Sequence, residues 1–160
     1  IINNMLINGG IYGQSIRNSY TEKLGYEVPL LMVISPTQKC PLSCYGCYSA
    51  QHPKTEDLTF EAMDRLITQG KEMGIYFYVI SGGEPYVYKH MFEIFEKHSD
   101  VYFQTYTSSI TIAEKNDAKR LAKLGNVLPC ISLEGFEKET DERRGEGHFK
   151  RILKAMANLR

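Results

Sequence analysis

From residue 29 onward, apolar positions alternate between two rhythms. Short apolar runs read as strands: "PLLMVIS" at 29–35, "YFYVIS" at 76–81, "VYFQTYT" at 101–107 and "VLPCISLEG" at 127–135. The first is continuous enough for a strand buried on both faces. Between them the period lengthens to that of a helix. Thr59 is placed to cap "FEAMDRLITQGKEM", with Phe60, Met63 and Ile67 at helical spacing and Gly74 as the stop. "YKHMFEIFEKH" at 88–98 puts Met91, Ile94 and Phe95 on one face. "AEKNDAKRLAKL" at 113–124 carries Ala118, Leu121 and Ala122 and is closed by Gly125. "HFKRILKAMANLR" gathers Phe149, Ile152, Leu153, Met156 and Leu159. Residues 1–28 lack this rhythm and are broken by Gly9, Gly10 and Gly25, so they read as a short helix or loop leading into a domain at 29–160.

The element order is therefore β-α-β-α-β-α-β-α. Strands alternating with helices of this length predict an α/β fold of parallel strands joined by right-handed crossovers. The pattern alone leaves open a doubly wound sheet or a barrel.

Composition narrows the class. The 160 residues, 42% hydrophobic and 24% charged, suit one globular domain with a real core. Nineteen basic and 19 acidic residues cancel, so no overall basic field draws the chain to nucleic acid or anionic lipid. No apolar run approaches the roughly 20 residues of a spanning helix, and "IINNMLINGG" does not read as a signal peptide. The expected location is the cytoplasm, because three clustered thiols plus Cys130 are no secreted disulfide framework. The chain opens on Ile1 and stops at Arg160 inside an amphipathic pattern, which reads as a fragment of a longer protein.

The unusual residues collect at one end of every predicted strand. "KCPLSCYGC" follows the first strand, "GGEP" the second and "SS" the third, while "SLEG" ends the fourth. In parallel α/β folds the carboxyl ends of the strands form the ligand side. Parity places Cys130, Ser132 and Glu134 on one face of the fourth strand, and Tyr102, Gln104, Tyr106 and Ser108 on one face of the third. So polar a face suits a ligand cavity.

Cys40, Cys44 and Cys47 have the spacing C-x-x-x-C-x-x-C. Structural zinc would need a fourth ligand, with Cys130 or His52 as candidates. A dithiol redox site would use Cys44 and Cys47 and leave Cys40 idle. An iron–sulfur cluster held by three thiolates would leave one iron open to another ligand.

With "CPLSCYGC" after the first strand, "SGGEP" after the second, and "SLEG" followed by "DERRG", residues 29–160 resemble the radical S-adenosylmethionine (radical SAM) enzymes. The third region is similar to a subgroup that often carries cluster-binding C-terminal extensions. The resemblance implies about four units of a partial (β/α)6 barrel, C-terminally incomplete. It implies that Cys40, Cys44 and Cys47 ligate a 4Fe–4S cluster whose fourth iron chelates SAM. Gly82 and Gly83, with Glu84, would meet the methionine amino group, and Pro85 would stiffen the turn. Ser132 and Glu134 would reach SAM, the latter at its ribose. Arg144 would pair with the SAM carboxylate. The implied activity is reductive cleavage of SAM to a 5′-deoxyadenosyl radical that abstracts hydrogen from a peptide or small molecule. An external electron donor such as flavodoxin or ferredoxin is implied as well. No catalytic side chain is assigned. The alternative is a non-catalytic zinc- or cluster-binding module.

Two positions depart from the family pattern. Gly46 stands where an aromatic residue usually contacts adenine, so Tyr45 or Tyr48 is the expected substitute. Thr107-Ser108-Ser109 replaces a common Thr-Asn-Gly. Among the remaining candidates, Cys130 is read as a small core residue. The four histidines are read as surface groups, and Arg143 as part of a solvated charge run.

Overall fold

The computed structural model describes residues 1–53, 56–114 and 117–160. Strands β1 (Leu31–Ile34), β2 (Phe77–Ile80), β3 (Tyr102–Thr107) and β4 (Val127–Ile131) form one parallel sheet in the order β1-β2-β3-β4. Sequential order without a reversal belongs to a barrel wall; a doubly wound sheet reverses at a switch point.

The register assigns the two faces. Leu31, Phe77 and Tyr102 are partners, as are Ile34 and Ile80. Met32, Ile34, Tyr78, Ile80, Phe103 and Val127 share the face that joins the core. That core is completed by Met63 and Ile67 of α2 (Phe60–Glu72) and by Met91, Ile94 and Phe95 of α3 (Met91–Lys97). On the other face lie Val33, Gln104, Tyr106, Leu128 and Cys130, all partly or fully exposed. A sheet covered by helices on one face only is the wall of a partial barrel. Pro129 sits on the β4 edge, where its missing N–H is tolerated.

Helix α2 starts at its cap. Thr59 Oγ1 accepts the Ala62 N–H at 3.1 Å, and α2 stops before Gly74 as expected. Helix α3 begins three residues later than the expected 88, because Pro85–Val87 first make a 3-10 turn. The helix expected over 113–124 corresponds to α4 (Ile110–Glu114) and α5 (Asp117–Leu124), with 115 and 116 outside the described residues. The fourth strand is shorter than expected and releases 132–135 into the loop that carries Ser132 and Glu134.

Five expectations are corrected. The N-terminal segment is no short lead-in. A wide π-helical stretch, Asn3–Tyr12, runs directly into α1 (Gly13–Leu24), so Gly9 and Gly10 do not break it. Arg143, read as part of a solvated charge run, lies in a helix, α6 (Glu137–Arg144), and donates to Glu134 and to Tyr45 O. The last helix, α7 (His148–Asn158), buries Ile152 and Ala155 but leaves Leu153, Met156 and Leu159 exposed, so its expected apolar face is only partly covered. Finally, His98 and His148 are buried: His98 lies 3.0 Å from Asp64, and His148 is fully enclosed at the start of α7. Burial pushes both imidazoles below their usual range. Cys130 is half-buried on the open face and takes no place in the helix-side core.

Candidate metal centre and its cavity

The loop after β1 carries the three cysteines across the carboxyl end of the sheet. Its stem is tied down first. Thr37 Oγ1 donates to Asp57 at 2.6 Å and Lys39 Nζ to the same carboxylate at 3.0 Å. Burial raises the Asp57 carboxyl, but the Thr37 and Lys39 hydrogen bonds overcome this and hold it below its usual range. The Gly83 N–H donates to Thr37 O and the Glu84 N–H to Lys39 O, each at 2.9 Å.

This contact explains the two glycines. Gly82 has φ +107°, and a Cβ there would sit 2.4 Å from Thr37 O; one on Gly83 would sit 2.2 Å from Lys39 O. A side chain at either position would push the cysteine loop away. In the fold, the close approach that these glycines permit is to the backbone of the cysteine loop.

Cys40, Cys44 and Cys47 line one cavity of about 230 Å³, with Gly82, Gly83, Tyr48, Tyr106, Thr107, Ser108, Ser132, Arg143 and Arg144 around it. All three thiols are half-buried and free. A larger surface cleft of about 650 Å³, beside Phe60 and His90, contains no cysteine. Burial pushes the Cys40 thiol up, against the pull of the Leu42 N–H. Burial also pushes Cys44 up, while the Arg144 guanidinium pulls it back. Ligation therefore requires a cation able to displace those protons.

Among the described residues, no three His, Cys, Asp or Glu side chains converge as a single ion requires. The thiols instead stand around a shared space. Cys130 and His52, the candidate fourth ligands for zinc, do not line it. Three thiols around a cavity with no fourth beside them fit a multi-iron cluster with one open position better than a closed tetrahedral ion.

Glu84 is 1% exposed and turns toward the β3 end. Its carboxylate accepts from Thr107 Oγ1 at 2.7 Å, the Ser108 N–H at 2.8 Å and Ser108 Oγ at 2.5 Å, with a longer bond from the Tyr86 N–H. A buried carboxylate must be satisfied in this way. Glu84 thus ties the ends of β2 and β3 together and is not among the residues lining the cavity. Pro85 opens the following 3-10 turn and is buried. Ser109, at the end of this region, is a buried non-glycine residue at φ 72°, a conformation that costs energy.

Ser132 lines the cavity, and its N–H extends the ladder to Thr107 O at 3.0 Å. Glu134 is taken up by two arginines. Arg144 donates to it through Nε at 3.1 Å and through Nη2, while Arg143 Nη1 donates at 2.6 Å. The Arg144 hydrogen bond, with Arg143 and against burial, holds the Glu134 carboxyl below its usual range. Of the two tyrosines, Tyr45 is 85% exposed and outside the cavity lining. Tyr48 faces the cavity, its hydroxyl 3.0 Å from Ser81 Oγ and accepting the Gly82 N–H at 3.2 Å.

The family model for the radical SAM superfamily matches residues 34–160. A PqqA peptide cyclase from Bradyrhizobium diazoefficiens is 29% identical over 123 residues, which is 74% of this chain and 32% of that protein. The mycofactocin maturase MftC of Mycolicibacterium smegmatis is 28% identical over 141 residues, 84% of this chain and 35% of that protein. The fold superposes on Streptococcus suis SuiB bound to S-adenosylmethionine with a TM-score of 0.74 at 24% identity, over 91% of this chain and 35% of that one. The chain thus spans about a third of the length of these relatives.

Proposed function

This chain belongs to the radical SAM superfamily, and on that premise we propose that it is part of an enzyme that modifies a peptide through a 4Fe–4S cluster and SAM. The observation that carries the proposal is the gathering of all three cysteines around one cavity that the Gly82-Gly83 loop also lines. Cys40, Cys44 and Cys47 would hold the cluster. Bound there, cluster and SAM together supply one-electron chemistry: reductive cleavage of SAM and hydrogen-atom abstraction from a substrate.

The chain's own residues set the stage for that chemistry. The carbonyls of Gly82 and Gly83 offer acceptors to an ammonium group. Arg144, on the cavity wall, offers a fork to a carboxylate and must share it with Glu134. Ser132 offers a hydroxyl. Tyr48, rather than Tyr45, lines the cavity, which fits it to contact adenine in place of the glycine at 46. Glu84 acts through Thr107 and Ser108, fixing the wall between β2 and β3. The half-buried setting of the thiols limits water around the reacting groups.

A peptide substrate is favoured because the relatives' names describe a peptide cyclase and a maturase, and SuiB is also known bound to its precursor peptide. Reduced thiols and a low-potential cluster suit the cytoplasm, with flavodoxin or ferredoxin as electron donor. Among the described residues no helix is long and apolar enough to cross a membrane.

The test is electron paramagnetic resonance on the anaerobically reconstituted, dithionite-reduced full-length protein, with and without SAM. A reduced-cluster signal that changes shape on adding SAM is expected. Zinc with no cluster signal would instead identify a structural metal module and end the enzyme reading.

A further inference from the structure

The stretch from Cys40 to Cys47 is held by few bonds. Its side chains are half-buried or exposed, so hydrophobic packing does not fix it. Within it, the Cys47 N–H donates to Cys44 O at 3.2 Å, closing a four-residue turn. Gly46, third in that turn, has φ +69°, as a type II turn requires. The turn sets the spacing of two thiols, yet it does not fix where the pair sits relative to the sheet.

That task falls to one residue 98 positions away. The Tyr45 N–H donates to Arg143 O at 2.9 Å, and Arg143 Nε donates back to Tyr45 O at 3.3 Å. Both backbone groups of the residue between Cys44 and Gly46 are therefore taken by Arg143. Apart from the Ala50 N–H, which donates to Cys47 O at 3.3 Å in the turn that directly follows, these are the only hydrogen bonds among the described residues from 40–47 to another element of the fold. The other end of the same guanidinium is fixed: Nη1 donates to Glu134 Oε2 at 2.6 Å. A planar fork reaches both partners at once; a lysine ammonium at the end of a flexible stem does not. Meanwhile the Tyr45 side chain is 85% exposed and adds little packing.

We infer that Arg143 is a positioning residue: it clasps the backbone of the Cys44–Cys47 turn to the C-terminal end of α6 and holds the two thiols in register with the Gly82-Gly83 wall. The inference rests on the proposed cluster reading for its consequence, but the clasp itself is testable without a cluster. It also gives α6 a purpose that its charge-rich sequence does not announce.

The experiment uses the full-length protein and the variants R143K and R143A, with K138A, an exposed charge change on the same helix, as control. In metal-free protein, iodoacetamide labelling of each cysteine is followed by mass spectrometry. Cys44 and Cys47 are expected to react roughly three- to tenfold faster in both Arg143 variants, the effect of about one lost hydrogen bond. Cys130, on β4, serves as the internal reference and is expected to keep its rate. After anaerobic reconstitution, iron should leave both variants faster when a chelator is added, by a similar factor.

Unchanged labelling in both variants overturns the inference. So does a wild-type rate in R143K with acceleration in R143A, which would make charge rather than the fork responsible. Equal acceleration at Cys130 overturns it too, because that reports general loosening. If wild-type protein assembles no cluster, the cluster reading fails, and the labelling rates still decide the clasp.

Discussion

The two ends of this sheet are built on opposite rules. At the amino ends of the strands, the long N-terminal helix lies across the loops that feed β2, β3 and β4. Asn4 Nδ2 donates to Ser99 O at 2.7 Å and to Val101 O, Asn8 Nδ2 to Asp100 O, and the amino group of Ile1 to Gly125 O. Arg17, 3% exposed, donates to Gly9 O and Gly74 O. Here each side chain finishes the hydrogen bonding of a backbone carbonyl. At the carboxyl ends, side chains instead surround a space: three thiols, two arginines and several hydroxyls line a cavity. The first arrangement commits its polar groups to the backbone. The second keeps polar groups only partly committed, which is the condition for binding one. Stability and chemistry are thus separated along the length of the strands.

The sharpest way to test that separation is to remove one group from each end. Cys44→Ala is expected to abolish cluster assembly, read as loss of iron and of the visible absorption band. Because the thiol is half-buried, the metal-free protein should lose no more than about 0.5 kcal/mol in urea unfolding. A variant with full iron and an unchanged spectrum would remove Cys44 from the ligand set. Arg17→Met should do the reverse. It strands two buried carbonyls and is expected to cost about 3 kcal/mol, while iron per folded chain stays at the wild-type level. If Arg17→Met impairs cluster loading in protein that is still folded, the two ends are coupled and the comparison fails.

Glu84 lies on the boundary between the two rules, since it is fully satisfied like the floor but located at the mouth. Glu84→Gln keeps the shape and places an amide among donors. A loss of about 2 kcal/mol is expected, together with weaker SAM binding by the reconstituted protein, because the β2–β3 wall loosens. Lost SAM affinity with unchanged stability would argue instead that Glu84 meets SAM directly.

The strand–helix alternation was legible because β/α units repeat their apolar period, and the carboxyl-end clustering followed from topology alone. Helix α6 was not. Its sequence, "EKETDERR", has no apolar stripe; what marks it is acidic residues in the first turn and arginines in the last, matching the helix dipole. The N-terminal helix escaped for a different reason. Gly9 and Gly10 weaken a helix on propensity, yet the asparagine and Arg17 contacts that stabilise it lie far away in sequence. The cysteine spacing pointed to the candidate ligand set, but not to Arg143 at the turn or to Glu84 facing β3. Both depend on contacts between loops, which no local pattern encodes.

The smallest expected effect concerns Glu134, which joins the mouth of the cavity to α6. The Arg144 hydrogen bond holds its carboxyl below the usual range in the folded protein, with Arg143 assisting against burial. A carboxyl lowered by folding stabilises the folded state fully above its unfolded pKa, about 4.3 for glutamate. That contribution fades as pH falls through the lower folded value. Arg143 is nearly half exposed, so solvent screening keeps the contribution to about 1 kcal/mol or less. Urea unfolding of metal-free wild type and Glu134→Gln should therefore differ by a constant small amount from pH 7 to about pH 5. The gap should close below about pH 4 as the wild-type carboxylate takes up its proton. A gap that persists in acid would mean that the glutamine is misfitted sterically, and that the charge pairing at the mouth contributes little. A gap that closes on schedule, together with faster Cys44 labelling in the same variant, would show that Glu134 supports the cysteine turn through Arg143 and not only through α6.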